Sequence, residues 1–133
     1  TGWYTLSLHD ALPIFMEIGV QQENWEQVAE NGRRYLAVFP LLSAVYGQLG
    51  RASEQLGRDE PAIDAYRRLL LLDPADPVDI HYRLAKLLQP RDSAAAKRHV
   101  LEALADAPRF REGHRLLLAL PESETSGIQA TPQ

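Results

Sequence analysis

No cysteine occurs among the 133 residues. That excludes disulfides, thiol nucleophiles and cysteine-ligated metals from this chain. Nor does any apolar run approach the roughly 18 residues that a membrane-crossing helix needs. Surplus positive charge is missing too. There are 14 Lys and Arg against 18 Asp and Glu, a formal net charge of −4, which argues against a nucleic-acid partner. β-Branched aliphatics are scarce: Val and Ile number 11, whereas Leu and Ala number 38. That ratio leans strongly to helix. Catalytic signatures are absent as well, with no G-x-S-x-G elbow, no H-E-x-x-H and no P-loop. What is present is a chain of 45% hydrophobic residues, enough for a core and long enough for one domain.

Punctuation along the chain is periodic. Pro40, Pro74 and Pro108 are spaced by 34, and so are Val28, Ala62 and Ala96, which precede them by twelve. A fixed period of this size marks a repeat architecture. Residues 43–76 resemble a tetratricopeptide repeat unit. Tyr46, Leu49, Gly50, Ala62, Tyr66, Leu69 and Pro74 stand at that family's signature places. Ser53 departs, where a large residue is usual. The resemblance extends over residues 15–120. It divides them into a truncated unit at 15–42, a full unit at 43–76, a third at 77–110 and a final helix at 110–120. In the third unit Leu84 and Ala85 sit one place late, and the loop around Pro90 is one residue short. The implied fold is all-α: antiparallel helix hairpins stacked in a right-handed superhelix, an α-solenoid.

Local signals agree with it. In Pro61–Leu72, Ala62, Ile63, Ala65, Tyr66, Leu69 and Leu70 recur at three-four spacing and form one apolar stripe. Asp59 is the expected N-cap of that helix, and Gly57 the residue ending the one before it. Asn24 with Gln27 makes a capping-box-like start for a helix over Trp25–Val38. Asp76–Pro77 and Asp92–Ser93 offer further starts. Small residues at 50, 62, 85 and 96 would let paired helices approach closely. Trp25, Tyr35 and Tyr66 are expected in the core.

The N-terminus reads differently. Residues 4–14, Tyr-Thr-Leu-Ser-Leu-His-Asp-Ala-Leu-Pro-Ile, resemble one translated frame of a common short-read sequencing adapter. A genuine helix start is the competing reading. A signal peptide is disfavoured by the absence of a basic n-region and by Asp10 and Pro13. On the adapter reading residues 1–14 are foreign, the genuine sequence begins near Phe15, and Phe15–Gln22 is the end of a first helix that lacks its native N-terminal half. It then frays, and Phe15, Ile18 and Val20 are left exposed. Residues 121–133, polar with one aliphatic residue, Ile128, are expected to be disordered. Arg outnumbers Lys 12 to 2, in keeping with a GC-rich bacterial genome and, with an adapter attached, an environmental assembly.

Chemistry-bearing residues are few. His81, His99 and His114 lack ligand spacing, so neither a metal nor any other cofactor is expected. His81 and His114 fall at or beside the place of Tyr46, which implies helix packing; His99, beside Lys97 and Arg98, reads as part of a solvated face. The resemblance implies a concave groove for extended or helical peptides, lined by first-helix residues. Carried over residue by residue, these are Ala44, Gly47, Arg51, Glu54 and Gln55, then Asp79, Tyr82, Lys86, Gln89 and Pro90, then Glu112, Arg115 and Ala119. Of these, Arg51, Gln55, Tyr82, Lys86 and Arg115 are the candidate peptide contacts. Arg51, Lys86 and Arg115 would form a basic stripe suited to acidic peptide groups; the alternative is ordinary solvated charge. Gly47 and Arg51 do not match the carboxylate-clamp subset of the family. The resulting expectation is a non-enzymatic protein- or peptide-binding scaffold, a piece of a longer bacterial protein, in the cytoplasm by default. It has no nucleic-acid or membrane partner. The alternative is a C-terminal repeat appendage of a larger enzyme such as a metallopeptidase-like protein.

Overall fold

The computed structural model describes the backbone of residues 8–121 and the side chains of residues 14–121. Residues 1–7 of the adapter-like segment and 122–133 of the polar tail lie outside the described residues. Seven helices follow one another: α1 (Leu8–Gln21), α2 (Trp25–Val38), α3 (Ser43–Gln55), α4 (Asp59–Leu71), α5 (Pro77–Leu88), α6 (Ser93–Asp106) and α7 (Arg111–Ala119). No strand occurs among the described residues. The chain falls into two compact units, residues 1–75 and 76–133.

In the first unit each helix packs on the next, and α1 also touches α3. Short loops between such neighbours enforce antiparallel hairpins. In the second unit α5 packs on α6 and α6 on α7.

Side-chain caps set the starts of α2, α5 and α6. Asn24 Oδ1 accepts from the Gln27 amide at 3.3 Å, and its Nδ2 donates to Gln27 Oε1 at 3.0 Å. Asp76 accepts from the Asp79 amide at 3.1 Å and Asp92 from the Ala95 amide at 3.0 Å. Each satisfies one orphan donor of a first turn. Gly57 ends the α3 region at φ 71°, a left-handed conformation that costs glycine nothing. The N-cap expected at Asp59 is instead Arg58, with no side-chain cap. Gly57 turns the chain one residue earlier than capping chemistry alone implies. Asp59 then lies in the first turn, where its carboxylate faces the positive helix end. The first helix, α1, spans Leu8–Gln21, so it runs into the adapter-like segment and carries Pro13 within it. Phe15 and Ile18 are exposed as expected, at 50% and 42%. Val20 is half-buried and packs on the core of the first unit.

Side-chain volume sets how closely the hairpins close. In α3–α4 the large residue is Tyr66, 1% exposed, and the gap is Gly50. A Cβ on Gly50 would stand 2.5 Å from Tyr66 Cε1. In α1–α2 the roles reverse across the 34-residue period. Met16 occupies the place of Gly50, and Gly32 the place of Tyr66; a Cβ on Gly32 would meet Met16 Cε at 3.2 Å. In α5–α6 both places are intermediate, Ala85 and Val100, and both are fully buried. Paired volumes, large against gap in two hairpins and intermediate against intermediate in the third, keep the interior close-packed.

Candidate binding surface

Arg51 and Gln55 are exposed on α3. The Arg51 guanidinium lies 5.5 Å from the centre of the Trp25 ring. Trp25 packs against the core of the first unit without being enclosed by it. As the first residue of α2 it is half-buried, with Arg51 stacked over it. Tyr35 and Tyr66, by contrast, are in the core as expected. On the same side Gln48 Nε2 of α3 reaches Glu17 Oε2 of α1 at 3.4 Å. Glu17 occupies the place, one period earlier, that Arg51 holds.

In the second unit the structure joins two candidates directly. Lys86 Nζ sits 4.6 Å from the centre of the Tyr82 ring, one turn along α5. Tyr82 is half-buried because its other contact, Phe110, meets it edge-on at 5.0 Å. The result is a braced aromatic platform carrying a positive charge, with Lys86 itself exposed. Arg115 is exposed on α7. The signature residues take structural positions: Val28, Ala62, Leu84 and Ala96 are fully buried, Gly50 is buried under Tyr66, and Leu49 is half-buried. Pro40, Pro74 and Pro108 lie in the inter-helix loops.

The histidines do more than spacing implies. His99 is not on a solvated face: its Nδ1 lies 2.9 Å from Nδ1 of His81. The ring centroids are 5.2 Å apart and the rings tilted by 36°, and one Nδ1–H donates to the other Nδ1, the tautomer setting the direction. The sequence hides this pair because it is made across the α5–α6 hairpin. Burial lowers the pKa of His81, opposed by the carboxylates of Glu102 and Asp106. His114 is exposed, and its Nε2 donates to the Pro108 carbonyl at 2.8 Å. Tyr46 Oη donates to the Pro40 carbonyl at the same 2.8 Å. Both are the same repeat place tied to the same loop proline, two periods apart. No group of three or more metal-ligating side chains occurs among the described residues. No helix there is long and apolar enough to cross a membrane. Sequence reasoning also passed over two Arg-Arg pairs, Arg33–Arg34 and Arg67–Arg68, whose signal is their spacing by one period.

Solved structures with this helix arrangement decide the fold. The Arabidopsis OM64 TPR domain superposes with a TM-score of 0.74 at 12% identity, covering 87% of this chain and 98% of that one. The fold is that of a tetratricopeptide domain. The Yersinia enterocolitica type III secretion chaperone SycD, in complex with a peptide of the translocator YopD, superposes at 0.70 and 18% identity, covering 81% and 88%. The first TPR of Spaghetti (RPAP3), bound to an HSP90 peptide, gives 0.70 and 13%, covering 90% and 91%. No family model matches the chain. One curated relative, the probable biofilm formation methyltransferase WspC of Pseudomonas putida, is 34% identical over 87 residues, 65% of this chain. The chain spans about a fifth of that relative's length.

Proposed function

We propose that the chain is a non-enzymatic scaffold module that binds an extended or helical peptide along its first-helix surfaces. The observation that carries this is the fold itself, shared with domains whose structures hold a YopD peptide and an HSP90 peptide. In this reading Arg51, Gln55, Tyr82, Lys86 and Arg115 contact the peptide. Arg51 and Lys86 each rest on an aromatic ring, which keeps the cation in place at an exposed site. Acidic groups on the partner suit these cations. The module belongs to a longer bacterial protein, a reading supported by the Pseudomonas relative and the excess of Arg over Lys; the cytoplasm is its default compartment. Residues 1–14 are foreign sequence in this account, and 15–120 the repeat domain.

A second reading is favoured by the same relative. A stretch similar to most of this chain forms part of a much longer protein named a methyltransferase. The module would then be an appendage that brings such an enzyme to its partner, and the enzyme class is methyl transfer in place of the metallopeptidase expectation. The test of the binding reading is selection of a random peptide phage library on the immobilised chain. Acidic peptides should be enriched, and R51E with K86E should weaken them at least about tenfold, the loss of one or more charge-assisted contacts. Undiminished binding would refute the assignment.

A further inference from the structure

Within the first unit, α2 and α4 are held apart by a cleft of about 460 Å³. Its floor is apolar: Leu36, Pro40, Leu49 and Ala65. A neighbouring hollow that shares Pro40, Tyr46 and Arg68 with the cleft is lined by Leu41 and Leu71, which are 76% and 85% exposed. Apolar surface of this kind, continuous and uncovered, is uncommon on a soluble domain.

The rim is charged in a regular way. Glu30-x-x-Arg33-Arg34 on α2 recurs one period later as Asp64-x-x-Arg67-Arg68 on α4. Arg33 lines one wall and Arg68 the other. Glu30 bridges Arg33 at 2.9 Å and Arg34 at 3.1 Å, and Asp64 bridges Arg68 at 3.1 Å. The cleft lining thus holds two guanidiniums, Arg33 and Arg68, against one carboxylate, Asp64, a local positive excess in a chain of net charge −4. Such exposed intrahelical pairs contribute little and exchange readily for a better-placed anion.

We infer that this cleft is a second docking site, distinct from the first-helix surfaces, and that it takes an acidic peptide segment anchored by one large apolar side chain. The apolar floor receives the anchor, and Arg33 and Arg68 pair with carboxylates on either side of it. Neither half suffices alone: the floor gives no preference for charge, and exposed arginines without the floor give no seat.

The test uses the intact chain and a fluorescein-labelled Asp-Glu-Glu-Phe-Glu-Asp peptide, read by fluorescence anisotropy. The acidic peptide should bind, and the same peptide with lysine for every acid should not. R33Q with R68Q removes both charges without placing like charges along a helix, and should weaken binding at least about tenfold. Ala37 is exposed on the cleft wall, so A37W can fill the cleft from outside without disturbing the core, and it should have the same effect. Because the first-helix cations also attract acidic peptides, the cleft variants are compared in the R51E with K86E background, where the acidic peptide should still bind and R33Q with R68Q should still weaken it. Equal binding of the lysine peptide, or indifference to both cleft variants in that background, would overturn the inference. So would absence of binding by the R51E with K86E chain.

Discussion

At the scale of single residues, Gly50 and the His81–His99 pair carry the sharpest consequences. Gly50 is required by the Tyr66 ring and not by backbone conformation. A side chain there gains helix propensity but collides with a ring that is 1% exposed. Gly50→Val should therefore lower unfolding free energy by about 1–3 kcal/mol, the usual cost of overpacking, measured by urea denaturation. Unchanged stability would mean that Tyr66 has room to move. His81 sets a pH dependence. Its folded-state pKa is lowered from 6.5, first by burial, so the unfolded chain binds more protons in acid. The resulting stability is fully present above about pH 6.5 and is lost as pH falls through the lowered value. Two protons between the facing Nδ1 atoms would also end their hydrogen bond. Amide protection factors in α5 and α6, with the intrinsic pH dependence of exchange divided out, should fall between about pH 7.5 and 5.5 in the native chain and much less in His81→Gln. Equal acid sensitivity in both would contradict this account.

Among the elements, helix starts were legible wherever a short polar side chain does the capping, as at Asn24, Asp76 and Asp92. Asp92→Ala should cost about 1 kcal/mol and speed exchange of the first amides of α6 more than those of its last turn; uniform loss along the helix would point to some other role. Asp59 was misplaced because Gly57, through its positive φ, decides where α4 begins. The 34-residue period located the hairpins, since proline and small residues mark loops and close contacts in every unit. Trp25 packs on the core but is only half-buried, because it is the first residue of α2 and carries Arg51 over its ring, which its repeat place does not record. The His81–His99 contact and the α2–α4 cleft were not legible either. Both depend on which faces two helices turn toward each other, and no single helical period records that.

For the molecule as a whole, the sequence made the tetratricopeptide fold readable almost in full, because each hairpin repeats the same spacing of volume and punctuation. The candidate contacts were readable only as positions. Their three-dimensional character, Arg51 on Trp25 and Lys86 on a Tyr82 ring braced by Phe110, came from packing between helices. The central claim is that this repeat array binds peptides through those first-helix residues. Its most direct test is amide chemical-shift mapping of the intact chain titrated with the strongest phage-selected peptide. The account predicts saturable shifts centred on Arg51 and Gln55 of α3 and on Tyr82 and Lys86 of α5. Shifts confined to other surfaces, or no shifts at any peptide concentration, would contradict it.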